Sequence, residues 1–511
     1  MIRDGVHLSL WQEKVKTYKP VFESVHSQKF DVIIVGGGIT GIATALALQT
    51  RGKNCLVLET RNLCYGTTGG TTAHINTFLD TPYNTIIDNF NLEVARHIAK
   101  AAKDVIKKIK STVDTFAIDC GYEDCKAFVF AQNEKQVDEL DKILDACIKV
   151  GVHAAHSKDI PVPIAFLKAM VINDQGKFHP VNYVYGMAAA FEKAGGIILE
   201  NCRLIKADES GELIKAETEM GNFQCDHLVY ATHIPPGINL LHLRCTPYRS
   251  YAMVARLKSG QYPKDLIYDM ADPYHYYRTQ LIDGEEYFIA GGKDHKTGYE
   301  QETDACFESL EQTIRTHFDI SSISHAWSSQ YYESSDGIPY IGHLPSHNEK
   351  VLVATGFGGN GMTYSHIAAE VIQCIIFQEK NELIDIFSPS RLKPIAGFKN
   401  FVEHNFDVVK QLMSKALSLY EDKNFESIPP GEGKVLKIDN HPIGVYSDGV
   451  DSIHIVSAVC THMKCIVKWN TAEKSWDCPC HGARYSIQGK VLNGPADHDL
   501  EYIHHSVKEN V

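Results

Sequence analysis

The chain lacks an apolar run clean enough to cross a bilayer. Its most apolar early stretch, residues 32–48, is interrupted by four glycines, whereas a spanning helix needs about 20 predominantly apolar residues. It also lacks basic excess. The net charge is −13, which argues against nonspecific binding to nucleic acid or anionic membrane, where clustered Lys and Arg are required. No basic region followed by a plain apolar run opens the chain, so a signal peptide is not expected and a cytoplasmic location is. Internal repeats and low-complexity segments are missing. Ten of the 14 cysteines scatter over the first 400 residues without paired spacing, which speaks against a disulfide scaffold there and reads as small buried hydrophobes. What remains is a globular composition, 44% hydrophobic and 22% charged over 511 residues, long enough for two to four domains at roughly 150 residues each. Nothing in the sequence indicates an oligomeric state.

The other four cysteines cluster near the C-terminus. Cys460-Thr-His462 is followed after 15 residues by Cys478-Pro-Cys-His481. Two loops each offering one Cys and one His match the needs of a Rieske-type 2Fe–2S cluster, with two thiolates on one iron and two imidazoles on the other. Cys460, His462, Cys478 and His481 are therefore the expected iron ligands. Zinc is the alternative, since it also takes Cys and His; the Cys-x-His spacing and the β-rich context count against it. Ile428-Pro-Pro-Gly-Glu-Gly433 punctuates the chain before this region, so a small β domain is expected over 428–511.

Near the other end, a β-rich run at 31–35 meets Gly36-x-Gly38-x-x-Gly41, an apolar helix follows, and a second strand ends at Glu59, 18 residues after Gly41. Gly36 permits the tight turn, Gly38 lets backbone approach a pyrophosphate, and Gly41 lets helix and strand pack closely. Ile39 and Thr40 begin the helix, whose N-terminus attracts phosphate charge, and Glu59 suits the adenosine ribose hydroxyls. The fingerprint alone does not separate FAD from NAD. Gly66-Thr-Thr-Gly-Gly-Thr-Thr-Ala-His74 adds small hydroxyl residues, Thr67 and Thr68 among them, that suit a loop covering a bulky cofactor. Ala354-Thr-Gly-Phe-Gly-Gly-Asn-Gly-Met-Thr-Tyr364 is again strand, glycine turn and helix. Through Gly356, Gly358, Gly359, Asn360, Gly361 and Met362 it could face a flavin ring carrying negative charge. Because 356, 358 and 361 also fit the glycine pattern, a second nucleotide site is a competing reading, although no acidic strand end follows.

Together with Gly176-Lys-Phe-His-Pro180, Val229-Tyr-Ala-Thr-His233 and Asp336-Gly-Ile-Pro-Tyr-Ile-Gly342, these segments resemble the FAD-dependent D-amino-acid oxidase superfamily, including glycine and sarcosine oxidases, over about 30–395. The resemblance implies an α/β fold plus an all-β one. A Rossmann-like FAD-binding domain (about 30–90, 150–245 and 325–395) interleaves with an antiparallel-sheet substrate domain (about 91–149 and 246–324). An arm at 1–29 precedes them, and a helical connector at 396–427 leads to the Rieske domain. FAD would take a hydride from the carbon beside an amine nitrogen. Some relatives bind flavin covalently; His74 lies near the relevant region, but its spacing from Glu59 does not fit, and it reads as a structural histidine. The resemblance nominates His179, Tyr276, Arg278 and His295 for substrate contact, Arg278 because a guanidinium suits a substrate carboxylate. The Gly-Phe-Gly-Gly of the late segment differs from the Gly-Asp of flavin monooxygenases.

The C-terminal motif resembles the high-potential Rieske proteins, in which two further cysteines form a disulfide between the loops; here these are Cys465 and Cys480, with two free thiols as the alternative. The familiar Cys-His-Gly-Ser-x-Tyr is Cys480-His-Gly-Ala-Arg-Tyr485. Ala483 cannot donate a hydroxyl hydrogen bond to sulfur, while Tyr485 can, so a potential below that of respiratory-complex Rieske proteins is expected. A two-electron cofactor beside a one-electron cofactor points to a dehydrogenase passing electrons from an amine or amino acid to FAD, to the cluster, and to an external acceptor. Reversed flow from an external donor, or a redox carrier or sensor without an organic substrate, are the alternatives.

Overall fold

The computed structural model describes residues 4–22, 25, 29–391, 428–439, 441–449 and 452–507. The expected helical connector at 396–427 lies outside the described residues.

The first strand, Lys29–Val35, carries Val32, Ile33 and Ile34 with no exposed surface. A strand apolar on both faces belongs inside a parallel sheet covered on both sides. That is where it lies. Tyr340–His343, Val351–Thr355, Gly221–Tyr230, Lys29–Val35, Cys55–Leu58 and Ile197–Leu199 neighbour one another in that order. All these pairings are parallel except that of the edge strand Tyr340–His343. Strands Ile214–Thr218 and Leu204–Asp208 extend the sheet as an antiparallel flap. Helix Ile39–Gln49 is apolar nearly all round and is wedged between helices Gly361–Ile376 and Pro180–Lys193.

The second sheet has nine strands. It runs Ile320–Ser334, Cys245–Leu257, Glu285–Lys296, Tyr276–Ile282, Leu266–Asp269, Glu123–Ala131, Lys168–Lys177 and His74–Ile75, with Ala154–Ser157 paired to Lys168–Lys177. Two expected boundaries move. Residues 154–177 belong to this sheet and not to the nucleotide-binding part, and the sheet keeps strand Ile320–Ser334 to its end. Helix Leu92–Phe116, expected with the substrate domain, packs on helix Gly361–Ile376 of the nucleotide domain. Alternation along 154–177 does not reveal which of two sheets a strand will join, since both bury apolar side chains in the same way.

The C-terminal region forms two four-stranded antiparallel sheets, Gly433–Ile438, His441–Ser447, Ser452–Ser457, Tyr502–Val507 and Lys468–Asn470, Ser475–Asp477, Arg484–Ser486, Val491–Asn493. The N-terminal arm is part of the core. Trp11 is fully buried and its indole N–H donates to Thr71 O at 2.6 Å.

Candidate redox site

The fingerprint turn is glycine for steric reasons visible at each position. Gly36 has φ of +114° and a Cβ there would come within 2.4 Å of Ala231 O. A Cβ on Gly41 would sit 1.9 Å from Gly36 O, so any side chain would force helix and strand apart. Glu59 Oε2 accepts from Gly37 N at 2.7 Å, and Ile39 N donates to Thr68 Oγ1 at 3.1 Å. The hydroxyl-rich loop thus folds over the helix N-terminus. Gly36, Gly38, Ile39, Thr40, Glu59, Thr67 and Thr68 line one cavity of about 580 Å³, and so do Gly356, Gly358, Gly359, Asn360, Gly361 and Met362. The late glycine turn is therefore the opposite wall of the same cavity and not a second nucleotide site. Gly41 packs beneath it. Two glycine turns at helix N-termini, an acidic side chain at the ribose position and one cavity lined by all of them fit FAD.

The nominated substrate residues divide. Tyr276 lines the cavity, with its hydroxyl 3.1 Å from Ser250 Oγ. His179, Arg278 and His295 do not line it. His179 accepts from Asn182 N at 3.2 Å as the N-cap of helix Pro180–Lys193, and burial lowers its pKa to about 4. Arg278 is fully buried and donates to Thr72 O at 2.9 Å and Ala73 O at 2.6 Å. It braces the loop behind the cavity instead of meeting a substrate carboxylate. His295 is held between Tyr251 OH at 2.9 Å and Lys296 O at 3.0 Å. His74, read as structural, does line the cavity. Its Nδ1 is 2.7 Å from Tyr268 OH, its Nε2 is buried without a hydrogen-bond partner, and burial, helped by Arg278, pushes its pKa well down. Asp80, Tyr268, Tyr274, Asp294 and Tyr331 complete this end of the cavity. The alternating tyrosines at 274 and 276 were the available signal, but alternation marks a strand face without saying what that face meets.

In the C-terminal domain the ligand loops are tight turns. Lys464 N bonds Cys460 O at 3.1 Å, and Gly482 N bonds Cys478 O at 3.0 Å. Cys460, Cys478, His462 and His481 are all buried, and the two imidazole rings stand 5.0 Å apart, near perpendicular at 87°. Cys465 and Cys480 form a disulfide, and their sulfurs lie within 4.8 Å of Cys478 Sγ. Tyr485 OH is 3.2 Å from Cys460 Sγ, while Ala483 is buried and offers no donor.

This centre abuts the flavin cavity. Tyr332 OH, from the substrate sheet, donates to His481 O at 3.1 Å. Asn493, Gly494, Ala496 and Asp497 form part of the cavity lining. His242, from the nucleotide domain, links the two halves most directly. Its Nε2 is 2.9 Å from Pro235 O and its Nδ1 is 3.0 Å from His462 Nε2. A carbonyl only accepts, so Nε2 of His242 carries the hydrogen and Nδ1 is the acceptor. His462 Nε2 must then be the donor, leaving its Nδ1 bare. That Nδ1 is buried with no hydrogen-bond partner, as a ligand atom aimed at iron should be. With two buried thiols opposite, the donor set fits a Rieske 2Fe–2S cluster.

Comparison with known proteins agrees domain by domain. The profile of the FAD-dependent oxidoreductase family that takes its name from D-amino-acid oxidase matches residues 31–374, and that of the Rieske [2Fe-2S] domain matches 418–504. A Bacillus subtilis protein, YhfW, described as a Rieske 2Fe-2S iron-sulfur protein, is 33% identical over 495 residues, 96% of each chain. The cytochrome b6-f complex iron-sulfur subunit of Triticum aestivum is 45% identical over 74 residues, 14% of this chain and 33% of that one. Glycine oxidase from Geobacillus kaustophilus superposes with a TM-score of 0.61 at 16% identity, covering 72% of this chain and all of its own, which speaks to the fold. No helix among the described residues is long and apolar enough to cross a membrane. The chain belongs to the FAD-dependent oxidoreductase family of the D-amino-acid oxidase type, carries a C-terminal Rieske domain, and is an oxidoreductase dependent on FAD and a 2Fe–2S cluster.

Proposed function

We propose that the protein is a dehydrogenase that oxidises an amine or amino acid at FAD and delivers the electrons through the Rieske cluster to an external acceptor, within the cytoplasm. FAD, when bound, accepts a hydride from a carbon beside nitrogen and releases electrons singly, which is what a one-electron cluster requires. The observation that carries the reading is the hydrogen bond between His242 and His462, 3.0 Å long. It joins a side chain of the nucleotide domain to an outer nitrogen of a cluster ligand, with no solvent between. Pro235, which anchors His242, is followed directly by Pro236 and Gly237 of the cavity lining. The wall of the flavin cavity and the edge of the cluster site are thus one continuous packed structure. A carrier without its own substrate would not need the tyrosine-lined chamber beside the late glycine turn.

Anaerobic addition of substrate to the holoenzyme tests this. Flavin absorbance should fall first, and the electron-paramagnetic signal of the reduced cluster should grow afterwards. A cluster that stays oxidised while the flavin is fully bleached would refute intramolecular transfer. Reduction of the cluster before the flavin by an external one-electron donor would instead favour the reversed flow.

A further inference from the structure

The substrate end of the cavity is acidic and aromatic. Asp80 is fixed against the late glycine turn, where its Oδ2 accepts from Gly359 N at 2.5 Å and its Oδ1 from Tyr274 OH at 3.2 Å. Asp294 accepts from Tyr331 OH at 2.8 Å through Oδ2, with the Ser250 hydroxyl also beside its carboxyl, and both Asp294 and Ser250 line the cavity. Glu333 lines the adjoining smaller cavity, which shares Asp80. Tyr268, Tyr274 and Tyr276 line this space, the Tyr274 ring centroid lying 6.5 Å from that of Tyr268 and 5.8 Å from that of Tyr276. Carboxylates among the faces of electron-rich rings form a cation receptor.

We propose that the substrate is a cationic amine without a carboxylate, an alkyl- or arylalkylamine whose ammonium group is received by Asp294 and Asp80 within the tyrosine cage. The proposal rests on the amine-dehydrogenase reading above and divides its two substrate classes. An amino acid would bring its carboxylate into a chamber that already holds two, and among the described residues no Lys or Arg lines that end to meet it. Arg278 faces away, bound to backbone carbonyls. The arginines and lysine of the lining, Arg61, Arg203 and Lys206, lie on the nucleotide side, Arg61 next but one to Glu59 and Arg203 bonded to Asp497 O. Lys296, which acts on Glu333, is outside the lining. His74 is held neutral by burial. Burial also raises the Asp294 carboxyl to about 6, and a cation placed beside it would favour its charged form.

The test uses two pairs of probes that differ only by a carboxylate: 1,4-diaminobutane with ornithine, and benzylamine with phenylglycine. Each is titrated anaerobically into the full-length holoenzyme, and the flavin spectrum reports both binding, as a band shift, and reduction, as bleaching. In at least one pair the amine should act at a concentration about tenfold or more below that of its amino acid, a difference of about 1.4 kcal/mol. Asp294→Asn should abolish the preference while keeping the FAD content and resting spectrum, and Asp294→Glu should restore it. An amino acid acting as well as or better than its amine in both pairs overturns the proposal but leaves the dehydrogenase reading intact. If none of the probes shifts or bleaches a flavin that dithionite still reduces, both fall.

Discussion

At the scale of single residues, the second cluster loop differs at one position from the Cys-His-Gly-Ser-x-Tyr pattern of the high-potential Rieske proteins it resembles. Ala483 stands where a hydroxyl would donate to sulfur, leaving Tyr485, 3.2 Å from Cys460 Sγ, as a hydroxyl donor to that thiolate. Hydrogen bonds to sulfur stabilise the reduced cluster's extra charge and raise its potential. Potentiometric titration should therefore show Tyr485→Phe lowering the midpoint and Ala483→Ser raising it; an unchanged value in both would remove this account. A second residue-scale expectation concerns acid. Asp294 sits near 6 because of burial, with Asp80, Glu333, His275, Ser250 and Tyr331 around it. Glu333 is raised further, to about 7, by burial and by Asp80 and Asp294. Because the folded pKa is raised, the charge is present above about pH 6 and is lost as pH falls through it. Amine affinity, measured from flavin band shifts, should drop below that pH, and Asp294→Asn should flatten the limb.

At the scale of elements, two turns carry more than their length suggests. Gly482 has φ of +74°, and a Cβ on it would meet Pro247 Cβ at 2.7 Å and Tyr332 OH at 2.8 Å. The cluster loop can dock on the substrate sheet only as glycine. Gly482→Ala should cost about 1–3 kcal/mol from strain and overpacking together, seen as a lower Tm with altered cluster spectra. The short helix Leu240–Leu243 places His242 against His462. His242→Ala should leave substrate reduction of the flavin unchanged in stopped flow while slowing the appearance of reduced cluster. Equal rates in variant and parent would show that the contact holds the domains together without conducting.

At the scale of the whole molecule, the Rieske domain is seated by a buried charge network. Arg484 donates to Asp4 Oδ1 at 3.1 Å and Asp477 Oδ1 at 2.9 Å. Arg249, on the substrate sheet, lies 3.9 Å from both Glu473 and Asp477. Burial alone would raise Asp477, but Arg484 and Arg249 outweigh it and hold its pKa below the usual 3.8. Three parts of the chain, the N-terminal arm, the substrate sheet and the cluster domain, meet in this network. Removing one member strands the others, at about 3–5 kcal/mol. Arg484→Met should lower Tm and make the C-terminal domain separable by limited proteolysis. A variant as protease-resistant as the parent would argue that apolar packing alone seats the domain.

Both cofactor motifs were legible in the amino-acid order because each is a local device. A strand, a glycine turn and a helix lie within a few residues of one another, and so do a Cys and a His on one tight loop. Their chemistry follows from residue type and spacing without reference to the rest of the chain. The substrate end was legible only as aromatic strand segments, and three of the expected contacts, His179, Arg278 and His295, turned out to serve backbone groups and a neighbouring tyrosine. Arg278 and Tyr276 are two residues apart on one strand, facing the same side, yet only Tyr276 reaches the chamber. Arg278 is claimed by the carbonyls of Thr72 and Ala73, more than 200 residues away in sequence, and Tyr276 stands against His74. His242 shows the same limit. Nothing adjacent to it in sequence distinguishes it from a packed core histidine, and its Nδ1 meets His462, 220 residues further along the chain, only when the two domains close on each other. Local order along the chain determined which redox groups this protein holds. Long-range packing decided how they face one another and what charge awaits the substrate, because burial and Coulomb interaction depend on distance in space and not in sequence.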